Sequence, residues 1–215
     1  MKRFIPLLFT AILFVSCEKE PNLDKLINNY VVYTQFDKSA NFSKDSTFFI
    51  PDSILVITDN KSAKPTYLER QVSDYLINAY TSHMATRGYH RVFDKSKATY
   101  GLQVSFIENT YYFSAGNPWW STYPWYWSPS YWWPWYTGSW YYPYPFIYSH
   151  TAGSLVCEMV DISSVSKSGG TSKPTIIWNN YITDIGSITF NNEGKVAKAI
   201  DQAFTQSPYI KYTGF

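Results

Sequence analysis

Tyr100-Gly-Leu-Gln-Val-Ser-Phe-Ile-Glu108 decides the predicted fold, because its side chains alternate between apolar and polar. Leu102, Val104 and Phe106 fall on one side, and Gln103 and Ser105 fall on the other. A period of two residues predicts a half-buried strand, with one face in the core and the other toward solvent. The fold is therefore expected to contain a sheet.

Further strands are predicted on both sides of this stretch. Residues 30–36 are rich in β-forming side chains, and residues 48–58 form a second extended segment in which Pro51 marks a break or an edge position. After the central strand, residues 152–163 and 175–185 are two more apolar stretches separated by a region rich in Gly and Ser. This spacing predicts a hairpin.

The clearest helical pattern runs from Tyr67 to Arg87. Its apolar stripe consists of Val72, Tyr75, Leu76, Ala79, Tyr80 and His83. These positions follow the spacing of one face of an amphipathic helix. Pro65 and Thr66 suit the start of the helix, and Gly88 suits the position just after its end. We interpret His83, which closes the stripe, as a packing residue and not as a metal ligand.

A second helix is predicted from Glu193 to Gln206. Val196, Ala199, Ile200, Ala203 and Phe204 form its apolar face. Asn192 is the candidate N-cap, and Pro208 ends the helix.

The order strand, strand, helix, three strands, helix predicts an α+β fold. We expect a single mixed or mainly antiparallel sheet of about five strands with two helices on one face. The last three strands have no helix between them, which favours antiparallel pairing. A long irregular insertion rich in Trp, Tyr and Pro, at residues 109–150, interrupts this pattern.

The insertion is unusual in composition. No Asp, Glu, Lys or Arg occurs from Asn109 through Cys157, and residues 117–148 contain eight Trp, eight Tyr and six Pro. The tryptophans are Trp119, Trp120, Trp125, Trp127, Trp132, Trp133, Trp135 and Trp140. Because Pro is so frequent, the segment cannot form a continuous helix and therefore cannot be a transmembrane helix. An irregular excursion between two strands is predicted.

These eight tryptophans are the candidate binding residues. Trp and Tyr combine a large apolar face with a hydrogen-bonding tip, so they favour surroundings that are dry on one side and wet on the other. Four surroundings remain open: a face of the domain's own sheet, a partner protein, the lipid headgroup region, and a glycan. The lack of charged side chains counts against the glycan.

The N-terminus has the layout of a secretory signal. Lys2 and Arg3 precede an apolar run of about 12 residues, which is too short to span a bilayer as a helix. The run Phe14-Val15-Ser16-Cys17 resembles the lipobox of bacterial lipoproteins, in which the cysteine is acylated, for example with palmitate. We therefore predict a signal peptide at residues 1–16, a lipidated tether at 17–28 and a single domain at 29–215.

Removal of the signal peptide changes the charge of the protein. The full chain has 18 Lys and Arg against 16 Asp and Glu, and loss of Lys2 and Arg3 leaves 16 of each (18 − 2 = 16). A neutral protein offers no electrostatic basis for binding nucleic acid. Acylation of Cys17 would also leave Cys157 without a partner in the chain. Since Cys157 shares a strand face with Leu155 and Met159, we interpret it as a buried free thiol.

The sequence carries no recognised motif of catalysis or metal binding. His83, His90 and His150 are far apart and lack metal-ligand spacing. The sequence has no phosphate-binding loop, zinc-protease helix motif or nucleophile elbow. Asp161 and Asp184 lie in or beside predicted strands, where they could approach each other. We expect no enzymatic activity, no cofactor and no metal.

Taken together, these features resemble the bacterial lipoproteins of the domain-of-unknown-function 4136 type. The resemblance lies in the lipobox at Cys17, the insertion and six other stretches. The stretches are Tyr33–Ser43, Arg87–Tyr89, Leu102–Phe106, Gly153–Asp161, Ile177–Trp178 and Ser207–Pro208. Membership implies a Gram-negative cell envelope, and the family has no settled activity.

The functional expectation is a non-catalytic lipoprotein of the outer membrane, held there by its N-terminal lipid. Its Trp/Tyr-rich loop is expected to dock on an envelope protein partner or on the membrane interface. Glu18-Lys19-Glu20 is similar to a short signal that sends some lipoproteins to the cell surface, so surface exposure is a further hypothesis. A surface glycan-binding protein is the alternative, and a hydrolase is the remote one.

Overall fold

A computed structural model describes residues 30–58, 65–108, 111–112, 149–150, 153–163 and 174–214. Residues 111–112 and 149–150 are described through their backbone pairing alone. The predicted signal peptide, the tether and most of the aromatic insertion lie outside the described residues.

Ten strands and two α-helices are formed by the described residues. The strands are β1 Val31–Phe36, β2 Thr47–Phe49, β3 Leu55–Ile57, β4 Thr66–Tyr67, β5 His90–Arg91, β6 Tyr100–Ile107, β7 Tyr111–Tyr112, β8 Ser149–His150, β9 Ser154–Asp161 and β10 Thr175–Thr183. The helices are α1 Arg70–Thr86 and α2 Glu193–Thr205, and Lys95–Lys97 forms one turn of 3₁₀ helix.

The mixed α+β architecture is confirmed, but the main sheet has eight strands and not about five. Its order is β1-β10-β9-β6-β2-β5, with β3 also paired to β6 and β4 to β3. The strands β1, β10, β9 and β6 are antiparallel, whereas β2 and β3 run parallel to β6. The predicted hairpin is β9–β10.

The extra strands have a local cause. The predicted extended segment at 48–58 breaks at Pro51, so β2 pairs beside Tyr100 and β3 pairs beside Phe106 along the same edge of β6. Pro lacks a backbone N–H and cannot continue the ladder. The other two strands that were not predicted are β4 and β5. Each is only two residues long, which is too short to show the alternation of apolar and polar side chains that marks a strand.

Both helices form close to where they were predicted. The expected start of α1 was wrong, since Thr66 and Tyr67 pair with β3 before the helix begins. Its end agrees with the prediction, because Gly88 adopts a positive φ of 89°. Asn192 precedes α2, yet its side chain bonds to Thr189 and Ser187 in the preceding loop and makes no cap bond to the helix.

The main core lies between the two helices and one face of the sheet. Leu102, Val104 and Phe106 of β6 and Leu155, Cys157 and Met159 of β9 point into it. On α1 the buried residues are Val72, Ser73, Leu76, Ile77, Tyr80 and Met84. Tyr75, which the predicted stripe included, is instead 45% exposed.

Trp178 connects the layers of this core. The ring is fully buried, packs 5.4 Å from the ring of Phe204 on α2, and donates its Nε1–H to Ser207 Oγ at 2.9 Å. Satisfying the indole N–H removes the cost of burying it.

The opposite face of the central strands, called the second face below, is also buried. Every residue of β6 is buried, including Gln103 and Ser105. The prediction of a half-buried strand was therefore wrong for β6. Alternation of apolar and polar side chains shows that a strand has two chemically different faces. It does not show whether other parts of the protein cover the polar face.

Candidate functional site

Three connections of the chain join the main sheet at the same end. At this end, called the proximal end, β1 begins with Val31 opposite Thr183, and β6 ends with Ile107 opposite Ser154. Gly153 donates its N–H to Ile107 O at 2.8 Å and accepts from the Ile185 N–H at 3.0 Å. The N-terminal segment, the aromatic insertion and the loop before α2 therefore all join the sheet here.

The spacing of these connections follows from the strand order. Neighbouring strands lie about 4.8 Å apart, so the start of β1 is roughly 10 Å from the start of β9 and roughly 14 Å from the end of β6. Beyond β6 and β9, the short strands β7 and β8 pair with each other, Tyr111 opposite His150 and Tyr112 opposite Ser149. The two ends of the insertion are thus held side by side.

Six large hydrophobic side chains of the described residues are exposed. Phe190 is 55% exposed in the loop between β10 and α2, and Val31 is 42% exposed at the start of β1. Tyr75, on α1, lies beside the start of α2, where a Cβ on Gly194 would come 3.9 Å from its hydroxyl oxygen. Tyr33 and Tyr67 are also exposed. Phe93, which follows β5 at the edge of the sheet opposite β1, is the most exposed of them, at 78%.

A second feature is a row of polar side chains on the second face. Gln103 of β6 pairs with Glu158 of β9, Glu158 with Asn179 of β10, and Asn179 with Gln35 of β1. Gln103, Glu158 and Asn179 are almost completely buried. The Gln103 side-chain amide donates to Val104 O at 2.9 Å and to Ser105 Oγ at 3.1 Å. This polar row crosses four adjacent strands.

Glu158 is the ionisable group in the polar row. Its two cross-strand neighbours on this face are amides, and its neighbours along β9 on the same face are Val156 and Val160. Burial disfavours the charged carboxylate and raises the pKa of Glu158 to about 8. At neutral pH the carboxyl group is therefore mostly protonated.

Tyrosines border the polar row toward the proximal end. Ser154 Oγ donates to the Tyr181 hydroxyl at 3.0 Å, and the rings of Tyr33 and Tyr181 stack with centroids 6.4 Å apart. Tyr181 is buried, whereas Tyr33 on the edge strand is 48% exposed. The second face thus opens to solvent at β1.

His83 packs between the helices, as the sequence interpretation held. Its ring stacks on Phe204 at 4.6 Å, and its Nε2 lies 2.5 Å from Asp201 Oδ1. Arg87 Nη1 approaches the other ring nitrogen at 3.3 Å. Since Arg can only donate, Nδ1 is the acceptor and Nε2 carries the proton. Both ring nitrogens are engaged, so neither is available as a general base or a metal ligand.

The two candidate carboxylates do not meet. Asp161 lies at the end of β9 opposite Tyr100, where Lys44 Nζ binds it at 2.8 Å. Asp184 follows Thr183 at the proximal end, so the two are separated by the length of β9, roughly 23 Å. The approach that the sequence left open is therefore ruled out.

Cys157 is completely buried on the helix-facing side of β9, and the interpretation as a buried free thiol is confirmed. Burial raises the pKa of the thiol well above its usual value. Because the thiolate is the reactive form, we expect this cysteine to be unreactive in the folded protein.

The other predicted site residues lie outside the described residues. They are Cys17, Trp119, Trp120, Trp125, Trp127, Trp132, Trp133, Trp135 and Trp140. Within the described ranges, no three His, Cys, Asp or Glu side chains are placed to hold a metal ion. Of the helices in these ranges, none has the length and apolarity needed to cross a bilayer.

The polar row was missed by sequence reasoning. Glu158 stands inside an otherwise apolar strand, between Val156 and Val160 on the same face. A lone acidic residue in such a position is a usable signal, since carboxylates are rarely buried without a specific reason. The partners across the strands could not be identified without the register.

Comparison with known proteins identifies the family. The family model "Domain of unknown function (DUF4136)" matches residues 32–209. A solved structure of a DUF4136 family protein from Bacteroides thetaiotaomicron VPI-5482 is 42% identical, with a TM-score of 0.71, and the match covers 86% of this chain and 98% of that chain. Comparison with curated proteins gave no match.

Two other solved structures are more distant. A PelC dodecamer from Paraburkholderia phytofirmans is 11% identical with a TM-score of 0.39, covering 86% of this chain and 99% of that chain. A PDZ domain protein from Parabacteroides distasonis ATCC 8503 is 12% identical with a TM-score of 0.42, covering 85% and 37%. At this level of similarity, neither structure supports a conclusion about the function of this chain. The family match and the 42% identical structure are sufficient, and the chain belongs to the DUF4136 family.

Proposed function

We propose that this protein is a non-catalytic lipoprotein of the outer membrane, anchored through an acylated Cys17, whose Trp/Tyr-rich segment docks on the membrane interface. The observation that supports the proposal most is the meeting of two connections at the proximal end. The chain enters β1 there from the N-terminal side, and the aromatic segment leaves and returns there through β6 and β9.

The length of the N-terminal connection is compatible with docking at this end. Twelve residues separate Cys17 from Tyr30, and a chain spans at most about 3.5 Å per residue, so the start of β1 stays within roughly 45 Å of the lipid. The opposite end of β9 is roughly 23 Å farther along the sheet. Since the tether joins the domain at the start of β1, the base of the aromatic segment at the same end lies within reach of the bilayer.

The composition of the segment suits this location. Trp and Tyr are enriched where a membrane meets water, and no Asp, Glu, Lys or Arg between residues 109 and 157 would have to lose its hydration. An envelope protein at the same interface is the other docking partner we expect. The geometry favours the interface itself, because proximity to the bilayer needs no second protein.

The non-catalytic part of the proposal has its own support. In the part of the chain that the structure describes, both ring nitrogens of His83 are engaged, and Asp161 and Asp184 lie at opposite ends of the sheet. Cys157 is buried with a raised pKa. None of these groups is arranged as an acid, base or nucleophile.

Lipid attachment is tested by metabolic labelling with a radioactive fatty acid in the native host. We expect label on the wild-type protein and membrane fractionation of it, with both lost in Cys17→Ser. The matched control is Cys157→Ser, which should keep the label. A wild-type protein that carries no acyl chain would overturn the anchoring part of the proposal.

Docking is tested by tryptophan fluorescence of the mature Cys17→Ser protein with phosphatidylcholine vesicles. Eight of the nine tryptophans lie in the segment, and the ninth, Trp178, is already fully buried, so a blue shift of emission reports the segment. A shift with vesicles supports the interface, and a shift only with a polysaccharide panel supports the glycan alternative. No response to vesicles would contradict docking on lipid.

A further inference from the structure

We propose that the second face of the sheet is a docking surface within the chain, and that its occupant is the part of the aromatic insertion between β7 and β8, residues 113–148. Together they form a second core, on the side of the sheet opposite the helices. The inference does not rest on the proposed function, because it concerns a contact within one chain and needs no membrane.

The second face is buried as completely as the main core. In the polar row, Gln103, Glu158 and Asn179 are at most 1% exposed. Apolar side chains from four strands flank this row, and they are buried without belonging to the cluster that packs under the helices. They are Leu55, Ile57, Ile107, Val156, Val160 and Ile176. A sheet face is buried to this extent only when another layer covers it.

The described helices and loops are used on the other side of the sheet. The buried apolar residues of α1 and α2 pack into the main core, against Val104 and Cys157 of the central strands. Phe42, Ile185 and Ile210, from three of the described loops, belong to the same core. The layer over the second face therefore comes from outside the described ranges.

Continuity and length favour residues 113–148 as this layer. β6 and β9 are the central strands of the second face, and the insertion leaves the end of one and returns to the start of the other. Crossing the roughly 23 Å of the face and returning takes about 14 extended residues. The segment is long enough, since it has 36 residues (148 − 112 = 36).

Charge distinguishes this segment from the others outside the described ranges. Burial is what raises the pKa of Glu158, so the layer over this carboxyl brings no Lys or Arg close to it. Residues 17–29, 59–64 and 164–173 all contain lysine, whereas residues 113–148 contain no charged side chain. Trp and Tyr can bond a neutral carboxyl or an amide through their N–H or O–H while their rings cover apolar neighbours.

The second face leaves part of the segment available for the membrane interface. The face measures roughly 14 Å from β1 to β6 and roughly 23 Å along β9. Since packed aromatic rings lie about 4.5–7 Å apart, a face of this size takes roughly ten rings. The segment has eight Trp and eight Tyr. It can therefore cover the sheet with one side and meet a bilayer with the other.

Thiol accessibility tests the cover. In the mature Cys17→Ser protein, Ser105→Cys places a thiol on the second face, while the native Cys157 lies on the helix-facing side of the neighbouring strand. A shortened protein has residues 113–148 replaced by Asn-Gly, a two-residue turn suited to joining Tyr112 to Ser149. Shortening should accelerate labelling at position 105 by at least about tenfold, while Cys157 stays protected.

Cys157 is the matched control, because it reports whether the main core of the shortened protein is intact. With Cys157 protected, equally slow labelling at position 105 in the intact and the shortened protein would overturn the inference. Fast labelling at position 105 in the intact protein would overturn it as well.

A second measurement uses only the intact protein and does not depend on the folding of the shortened one. In NMR spectra, the methyl groups of Val156 and Val160 should show NOEs to aromatic ring protons of residues 113–148. Trp178 faces the helices, so a tryptophan ring near these methyl groups belongs to the segment. Leu155, on the opposite face of β9, is the control and should show no NOE to the segment.

NOEs from Val156 and Val160 to residues 17–29 or 164–173 in place of the segment would overturn the inference. Neither measurement uses lipid, so its failure is distinct from that of the proposed function. No response of the protein to vesicles contradicts docking on lipid and leaves the second core standing. Exposure of the second face in the intact protein does the reverse.

Discussion

A Cβ atom on Gly153 would lie 2.3 Å from the carbonyl oxygen of Gly186. The two glycines bring the start of β9 against the loop that follows β10, and both have a positive φ of 73°. This close approach joins the start of β9 to the loop between β10 and α2 at the proximal end.

Gly153→Ala should therefore destabilise the protein more than Gly186→Ala. Both substitutions cost about 1–2 kcal/mol through the left-handed backbone conformation. Only Gly153→Ala also meets backbone atoms, whereas a Cβ on Gly186 has open space. We expect a further loss of about 1–3 kcal/mol for Gly153→Ala in urea denaturation. Equal stabilities of the two variants would contradict the contact.

Glu158→Gln should remove a pH dependence of stability. Below pH 4.5 the carboxyl is protonated in both the folded and the unfolded chain. Between pH 4.5 and about 8 the unfolded chain releases the proton and the folded protein retains it, so stability falls as pH rises and then levels off. At about 1.4 kcal/mol per tenfold change, the loss has an upper limit of roughly 5 kcal/mol.

The measurement is urea denaturation of wild type and Glu158→Gln at pH 5, 7 and 9. The variant should gain stability relative to wild type as the pH rises. Glu108→Gln, at the exposed residue after β6, is the matched control and should follow the wild-type curve. Parallel curves for Glu158→Gln and wild type would show that this carboxyl does not titrate differently on folding.

Tyr80→Phe should lower the free energy of unfolding by about 1–2 kcal/mol. The Tyr80 hydroxyl donates to Asn180 Oδ1 at 3.1 Å inside the core, and its removal leaves that oxygen buried without the bond. Tyr75→Phe, at an exposed position on the same helix, is the control and should change stability by less than about 0.5 kcal/mol. If both variants unfold at the same urea concentration, the hydrogen bond from Tyr80 to Asn180 does not stabilise the core.

The pair of His83 and Asp201 should couple α1 to α2. His83→Ala removes both the hydrogen bond and the stacking on Phe204, and should cost about 1–2 kcal/mol. Asp201→Ala should cost less, because Asp201 is mostly exposed. A double-mutant cycle by urea denaturation should give a coupling of about 0.5–1 kcal/mol. Additive effects would mean that the contact contributes nothing measurable.

Cys157 should stay unreactive while the protein is folded. In the mature Cys17→Ser protein, a thiol reagent is expected to modify Cys157 only after denaturant is added, because the side chain is completely buried and the burial raises its pKa. Mass spectrometry over a time course measures the modification. Rapid labelling of the folded protein would contradict the burial.

Much of the fold could be predicted from local pattern. The alternation in β6 and the hairpin of β9 and β10 are readable because neighbouring side chains of a strand point to opposite faces. The stripes of α1 and α2 are readable because a helix repeats every 3.6 residues. The choice of Tyr75 as a buried member of α1 failed, since stripe position alone does not tell which border residues the neighbouring helix covers.

The candidate site was less accessible to sequence reasoning. The polar row joins Gln35, Gln103, Glu158 and Asn179, which come from four different strands, and only the register brings them together. The register was also needed to show that Asp161 and Asp184 do not form a pair. Their distance depends on which end of the sheet each one occupies, and that follows from long-range pairing.

Local sequence pattern was enough to predict the α+β class, the hairpin, the two helices, the family resemblance and the charge-free aromatic segment, because each of them depends on residues close together in the chain. The fold was needed to show that the start of β1, the end of β6 and the start of β9 lie at one end of the sheet, and that the polar face of β6 is buried. The physical reason is that strand order and burial arise from contacts between residues distant in the chain, which no local period records.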